Sequence, residues 1–531
     1  MQTDLLITFF LSAVGIFYLL LLASGRQGGP KDLYTTQGSI SPLVRGMGLA
    51  ADWLCAATLL GFFALLIDDP KYAQWILIGW VSGLVILGLM VAPAIYRSGQ
   101  ACLASFVSEY YYSRLLGFMF MLILAAIGIM LLSLQLKAMG YIFSRYIQIP
   151  ASAGIFVSFV LLAFYVIISN IKAITRVQII SYMILISALF VLGAYLADIY
   201  EISNRWFFLQ FLVLEMPLVE IEERAIELTT SASLVEPEIN SIEWLLTLIA
   251  IIAGTAMLPH MVKRFQGAKV ISEIPISAVW LLIFIGVVYS SMPLLASVSQ
   301  AKLELELESV NELTHEFQSL SNWIITSESA SISNEFEGYQ SQPTFIEGFQ
   351  LLLLSEVYKM QPWVTALVTT AILAALLSTA SVLIVTMVRS ISFQFSAVNS
   401  SLAPSLSISW LIGMLVLAIA SSVAMVSSLN FIEWLNRMIA LSAASICPTV
   451  ILAVLGKKYP ARAVIVGSMI GFISVTSYAL AFDNQWLNQI FPPSWPVYSP
   501  IAVASIAMLL NVSATIGLSK VLSLQLAPEP S

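Results

Sequence analysis

Apolar residues arrive in blocks of about 20, enough at ~1.5 Å of rise per residue to cross ~30 Å of hydrocarbon. The first block reads LLITFFLSAVGIFYLLLLASG, and others follow as far as residue 519. Backbone polar groups in hydrocarbon must be satisfied within the segment, so these blocks are helices. Of the 531 residues, 59% are hydrophobic and 10% charged, whereas soluble domains run to about a quarter charged. The fold class is an all-α polytopic membrane protein. About thirteen spans are expected, at 4–24, 46–67, 73–95, 116–138, 151–169, 177–197, 243–262, 275–298, 363–388, 405–427, 431–455, 462–482 and 499–519. The leading MQTD lacks a basic n-region, so the first block reads as a retained span.

Lys and Arg set the expected orientation. Arg26, Lys31 and Arg45, then Arg97 and Arg114, Lys172 and Arg176, Lys263, Arg264 and Lys269, Arg389, and Lys457, Lys458 and Arg462 fall in loops of one parity. The N-terminus is thus expected outside and the C-terminus in the cytoplasm of a plasma membrane, the inner membrane if the cell is bacterial. Loops of the other parity include two long acidic ones, roughly 199–242 and 299–361, which account for the net charge of −7. That charge is no nucleic-acid signature, and the acidic loops read as solvated faces outside the membrane. Cys55, Cys102 and Cys447 are odd in number and scattered, against a disulfide framework or a zinc site. No Gly-rich phosphate loop, nucleophile elbow or HExxH motif occurs, and His260 and His315 are the only histidines. The chain does not read as an enzyme.

Asp52 lies within GMGLAADWLCAATLLGFF, an otherwise apolar span, and an ionisable group at such a place is a functional-site signal. Small residues surround it. Five spans later, IIAGTAMLPHMVKRF carries Gly254, Thr255 and Ala256 ahead of Pro259, which removes a helical hydrogen bond and crowds the preceding turn. Paired interruptions at matching positions of two halves mark the sites of inverted-repeat transporters. Small residues also serve plain helix contacts. An offset of five spans fits a five-plus-five repeat: residues 46–197 and 243–455, with 198–242 an acidic loop between them. Residues 1–45 then form a first helix and loop, and 456–531 two additional helices and a short tail. His260 reads either as the end of its helix beside Lys263 and Arg264 or as a proton relay.

The ninth span, WVTALVTTAILAALLSTASVLIVTMV, holds a hydroxyl cluster at Ser378, Thr379 and Ser381. Such hydroxyls can simply bond the carbonyl one turn back. Ala375, Ser378 and Thr379 nevertheless share a face. A carbonyl and two hydroxyls there, meeting carbonyls freed by a broken helix, form an oxygen cage suited to Na⁺ rather than Ca²⁺.

At these residues the chain resembles the sodium:solute symporter family, in its branch of acetate-type carboxylate permeases and uncharacterised relatives. DLYTTQGSISPLVRGM, EYYYSR, SLQLKAMGYIFSRY, IKAITRVQII and ALSAASICP support the likeness in the family's order. The resemblance implies a LeuT-type five-plus-five inverted repeat, alternating access and Na⁺ as the coupling ion. It implies sodium ligands at the carbonyls of Ala50, Trp53 and Ala375 and the hydroxyls of Ser378 and Thr379, with Asp52 an attractor nearby that does not touch the ion. Many members carry Asp where this chain has Gln178; carboxylate-permease relatives also place Gln there. The usual Gly-Gly before IKAITR is Ser169–Asn170 here, and the acidic tail after the ninth span is absent.

Cys55, Thr58, Gln135, Thr255, Met257 and Arg437 are the expected substrate-binding residues. Arg437 reads either as an i,i+4 partner of Glu433 or as positive potential for an anion, because guanidinium suits carboxylates. The expected function is Na⁺-coupled import of a small organic solute, a monocarboxylate ahead of a sugar, proline or a nucleoside. A transporter-like sensor without net flux, acting through a partner such as a small membrane subunit, and a proton-coupled carrier are the alternatives.

Overall fold

The computed structural model describes residues 40–100, 102–147, 149–168, 171–199, 241–265, 267–293, 295–296, 361–398, 406–426, 431–483 and 497–525. The expected first span, nearly all of both acidic loops, and Arg26, Lys31, Ser169, Asn170 and His315 lie outside the described residues. Among the described residues every regular element is helical.

In chain order these are α1 (Pro42–Trp53), α2 (Phe62–Asp68), α3 (Pro70–Ile86), α4 (Ala92–Ser98), α5 (Leu103–Tyr110), α6 (Arg114–Ile147), α7 (Ala151–Ile168) and α8 (Ile171–Ile199). After the first acidic loop come α9 (Ser241–Thr255), α10 (Pro259–Phe265) and α11 (Glu273–Tyr289). The remainder are α12 (Pro362–Val398), α13 (Leu406–Val426), α14 (Phe431–Leu441), α15 (Cys447–Val454), α16 (Ala461–Asp483) and α17 (Pro500–Gln525). Single π-helical turns at Ala56–Gly61, Leu87–Val91 and Ser442–Ile446 join α2, α4 and α15 to what precedes them.

Eight described helical stretches are long and apolar enough to cross a membrane, and the bent pairs α1–α2 and α9–α10 raise this to ten. Two shorter apolar helices, Ala151–Phe164 and Glu273–Tyr289, match further expected spans. Twelve of the expected spans thus coincide with described helix. The protein is a multi-pass membrane protein. Two helices overrun expectation: α6 reaches Ile147 rather than 138, and α12 reaches Val398 rather than 388. Their polar extensions, SRY and RSISFQF, depress the hydropathy by which span ends are judged yet are still helical. The EYYYSR segment, expected in a loop, begins inside α5, which packs on α6.

Tertiary contacts cross between halves in the manner of a five-plus-five repeat. α1, opening the first half, packs on α11 of the second, and α9, opening the second, packs on α3 of the first. Likewise α12 lies against α8, and α14 against α6. α12 is the central helix, with its apolar window wholly buried between α6, α8 and α13. α16 and α17 pair with one another and are only about a third buried (33% and 39%), and α17 also packs on α9.

Candidate functional site

The site starts where α1 stops. Ser41 caps α1, its hydroxyl accepting from the Val44 amide at 3.4 Å, and Pro42 fills the first turn, where its missing N–H costs nothing. Leu54 (ψ 71°) and Cys55 (φ −99°, ψ 179°) then leave the helix, and the chain resumes bent by 71°. No Gly or Pro forces this break. Alternative acceptors hold it open. In an unbroken helix the Cys55 amide would donate to the Ala51 carbonyl. Here it donates to the Trp53 carbonyl (2.8 Å) and the Thr58 hydroxyl (3.0 Å). The Ala56 amide donates to Oε1 of Gln135 on α6 at 3.0 Å. Thr58 turns its own hydroxyl proton to the Trp53 carbonyl. Tyr289 of α11 braces the far side, accepting from the Trp53 indole at 2.9 Å and donating to the Thr58 carbonyl at 2.8 Å. Cys55, Thr58 and Gln135 therefore meet at one break, which the Thr58 hydroxyl and the Gln135 Oε1 hold, while the Gln135 amide nitrogen donates to Leu131 of its own helix at 3.4 Å.

The second break is milder, 47° between α9 and α10, and Pro259 starts the new helix as the sequence implies. Met257 and Leu258 keep only short-range bonds to Gly254 (3.2 Å) and Thr255 (3.4 Å). The Thr255 hydroxyl is buried without a partner, and Met257 is fully buried. Gly254 is required here. A Cβ would fall 2.2 Å from the Ile439 carbonyl, and the Gly254 carbonyl accepts from Ser442 at 3.1 Å.

α12 meets the first break through Thr379, whose hydroxyl lies 3.1 Å from the Ala51 carbonyl and 3.1 Å from that of Ala375. Ser378 beside it is fully buried and its Oγ has no partner. The carbonyl that the break hands to α12 is therefore Ala51's. That of Ala50 still accepts the Leu54 amide at 2.9 Å, and that of Trp53 is shared with Cys55 and Thr58. The Ala50 carbonyl retains a lone pair, whereas both of Trp53's are engaged. Neutral hydroxyl and carbonyl oxygens form this donor set, which fits a monovalent hard cation better than a divalent one.

Asp52 is fully buried and directly paired. Arg264 of α10 contacts it through Nε and, at 3.4 Å, through Nη2, and the Gln178 side-chain amide of α8 donates to the same carboxylate. Arg264 reads in the sequence as one more base of a loop. It is instead the counter-ion of the buried acid, and Gln178 is the acid's second partner. The signal for this was the repeat itself, since two broken helices crossing at one place bring α10 onto α1. His260, also on α10, is buried with Nδ1 lacking a partner.

The charged end of Arg437 is engaged by other partners. It pairs with Glu433 at 3.4 Å and with Asp483 at the end of α16, and stacks over Phe482 at 5.7 Å. Two carboxylates balance its charge.

The sodium:solute symporter family model matches residues 33–300, half of the chain. The chain belongs to the sodium:solute symporter family. An uncharacterised symporter of Bacillus subtilis, YwcA, is 23% identical over 287 residues, 53% of each chain. An uncharacterised symporter of Cupriavidus necator is 24% identical over 168 residues, 30% of this chain and 24% of the relative. The matched region thus spans about half the length of the first of these symporters and less of the second. In three dimensions the chain is similar to a Na⁺-coupled sialic acid symporter caught substrate-bound and outward-open (TM-score 0.69, 12% identity, 98% of both chains). It is also similar to a nucleobase–cation symport transporter in a closed conformation (TM-score 0.50, 12% identity, 92% and 96% of the chains). At these identities the likeness establishes the fold, the LeuT-type inverted repeat of this symporter family.

Proposed function

We propose that the protein is a sodium-coupled symporter that imports a small monocarboxylate by alternating access. The observation that carries the reading is the contact of Thr379 with the Ala51 carbonyl, beside the buried and unpartnered Ser378 hydroxyl. A Na⁺ bound by carbonyls of the α1 break and by Ser378 and Thr379 would clamp α1 to the central helix α12. Its release frees α1 to move. The opposite end of α1 is tied to α11 and its preceding loop by Arg45, which bonds Glu273 (3.1 Å), Ser277 (3.1 Å) and the Gly267 carbonyl (3.0 Å). Opening on that side requires both ties to yield, which couples ion release to access.

Family membership supports sodium as the driving ion, and the acetate-type features of the sequence support a carboxylate. Sparse bulky polar side chains along the broken spans favour a small solute over a sugar. Cys55, Thr255 and Met257 are the proposed solute contacts, because neither the Thr255 hydroxyl nor the Met257 side chain is consumed in holding a break. The Lys and Arg distribution supports a plasma-membrane protein with its N-terminus outside and its C-terminus in the cytoplasm.

Ligands of the native state raise apparent stability, so thermal unfolding of purified protein against a panel of small carboxylates tests the reading. Na⁺ should stabilise more than K⁺, and a monocarboxylate should add stability only when Na⁺ is present. Equal stabilisation in Na⁺ and K⁺ would count against it.

A further inference from the structure

We infer that Arg264 is a built-in counter-cation for Asp52 and sets how tightly the neighbouring mobile cation is held. The inference rests on the sodium-coupled reading above and identifies the residue that tunes it.

Asp52 is fully buried, and a buried carboxylate without a cation is strongly disfavoured. The structure supplies that cation from the other half of the repeat. Arg264 reaches across from α10 and places Nε and Nη2 on the two carboxylate oxygens. The seat is shaped for it. A Cβ on Gly48, one turn back along α1, would lie 2.8 Å from Nη1 and 3.1 Å from Cζ of Arg264, so glycine at 48 leaves room for the guanidinium. Gln178 holds the carboxylate from a third helix.

The peptide joining Ala51 to Asp52 is common to both arrangements. Its carbonyl faces Thr379, and the following side chain faces Arg264. A cation on the carbonyls of the break is thus adjacent to a carboxylate whose charge Arg264 already neutralises. Removing Arg264 takes the direct partner from that carboxylate, leaves only Lys263 acting on it from α10, and so exposes the cation to a stronger negative charge within one residue. Removing Asp52 instead leaves it facing an uncompensated guanidinium. The two substitutions act in opposite directions, and together they cancel.

Equilibrium binding of ²²Na⁺ to purified protein at constant ionic strength, with Na⁺-dependent thermal stabilisation as a second readout, tests this. Arg264→Gln should bind Na⁺ about tenfold or more tightly than wild type. Asp52→Asn should bind it more weakly by a similar factor, and the double variant should return to within about threefold of wild type. Arg264→Lys keeps the charge and should stay near wild type. Gly48→Ala, which pushes the guanidinium off its seat, should move in the direction of Arg264→Gln and provides the test if that variant does not fold. Na⁺ binding by wild type that Arg264→Gln and Gly48→Ala leave unchanged or weaken overturns the inference and spares the coupling reading. No Na⁺ binding by wild type or by any variant overturns both. Binding that appears only once Arg264 is removed supports the role of Arg264 and overturns the sodium-coupled reading of the wild type, with the tethered cation standing in for the mobile one.

Discussion

Thr379→Val keeps the side chain's shape and deletes the oxygen that joins α12 to the break. The hydroxyl lies 3.1 Å from the Ala51 carbonyl and 3.1 Å from that of Ala375. Two costs follow, and they separate experimentally. The Ala51 carbonyl loses its donor in a buried place, which costs about 1–3 kcal/mol of stability. A bound Na⁺ loses a ligand worth about as much as a hydrogen bond to a charged group, roughly 1.5–3 kcal/mol, or 10- to 150-fold in affinity. Thr379→Ser retains the oxygen, so its Na⁺ affinity should stay within about threefold of wild type. The assay is a Na⁺ titration of intrinsic fluorescence with choline as the replacement ion, run on protein that remains monodisperse. A folded Thr379→Val variant whose Na⁺ affinity lies within about twofold of wild type would refute the placement of the ion between α1 and α12.

Other perturbations probe how the breaks are held. Gln135→Leu strips the Ala56 amide of its acceptor and should lower stability by about 1–3 kcal/mol, whereas Gln135→Glu should lose less; thermal unfolding compares them. Tyr289→Phe removes the bonds to the Trp53 indole and the Thr58 carbonyl together, an expected loss of about 1–3 kcal/mol in the same assay. Gly254→Ala drives a Cβ into the Ile439 carbonyl and should cost about 1–3 kcal/mol or the fold itself, while Gly286→Ala, with open space around it, should be silent on size-exclusion chromatography. Arg45→Ala releases one end of α1 and should speed thiol labelling of a cysteine placed at Thr175, which lines a cavity of about 50 Å³ beside Arg45; an unchanged rate would show that Arg45 does not restrain that end.

Much of the frame was legible because membrane insertion writes it in runs of residues. The span order, the two interrupted helices five spans apart and the hydroxyl face of the ninth span are local patterns, and the described residues carry all three from the second span onward. The details of the site depend on contacts between distant segments. Small residues around Asp52 mark an interruption, but its placement at Leu54 and Cys55 comes from the bonds that Thr58, Gln135 and Tyr289 supply there. Which carbonyl loses its helical partner follows from those bonds: the Cys55 amide turns away from Ala51, while Ala50 still accepts the Leu54 amide. Asp52 was visible as a buried charge, but its partner is 212 residues away and lies in a stretch whose neighbours Lys263 and Lys269 read as loop base. Arg437 shows the converse. Its i,i+4 relation to Glu433 was readable, whereas the second carboxylate, Asp483, comes from a helix packed alongside.

Sodium-driven accumulation is the central claim, and purified protein in liposomes tests it most directly. With an inward Na⁺ gradient imposed and radiolabelled acetate or another small monocarboxylate outside, the solute should rise inside above its external concentration, and the rise should collapse when K⁺ replaces Na⁺. A solute-dependent structural change with no accumulation at any gradient would contradict the account and indicate a sensor. Accumulation driven by a pH gradient without Na⁺ would contradict it in favour of a proton-coupled carrier.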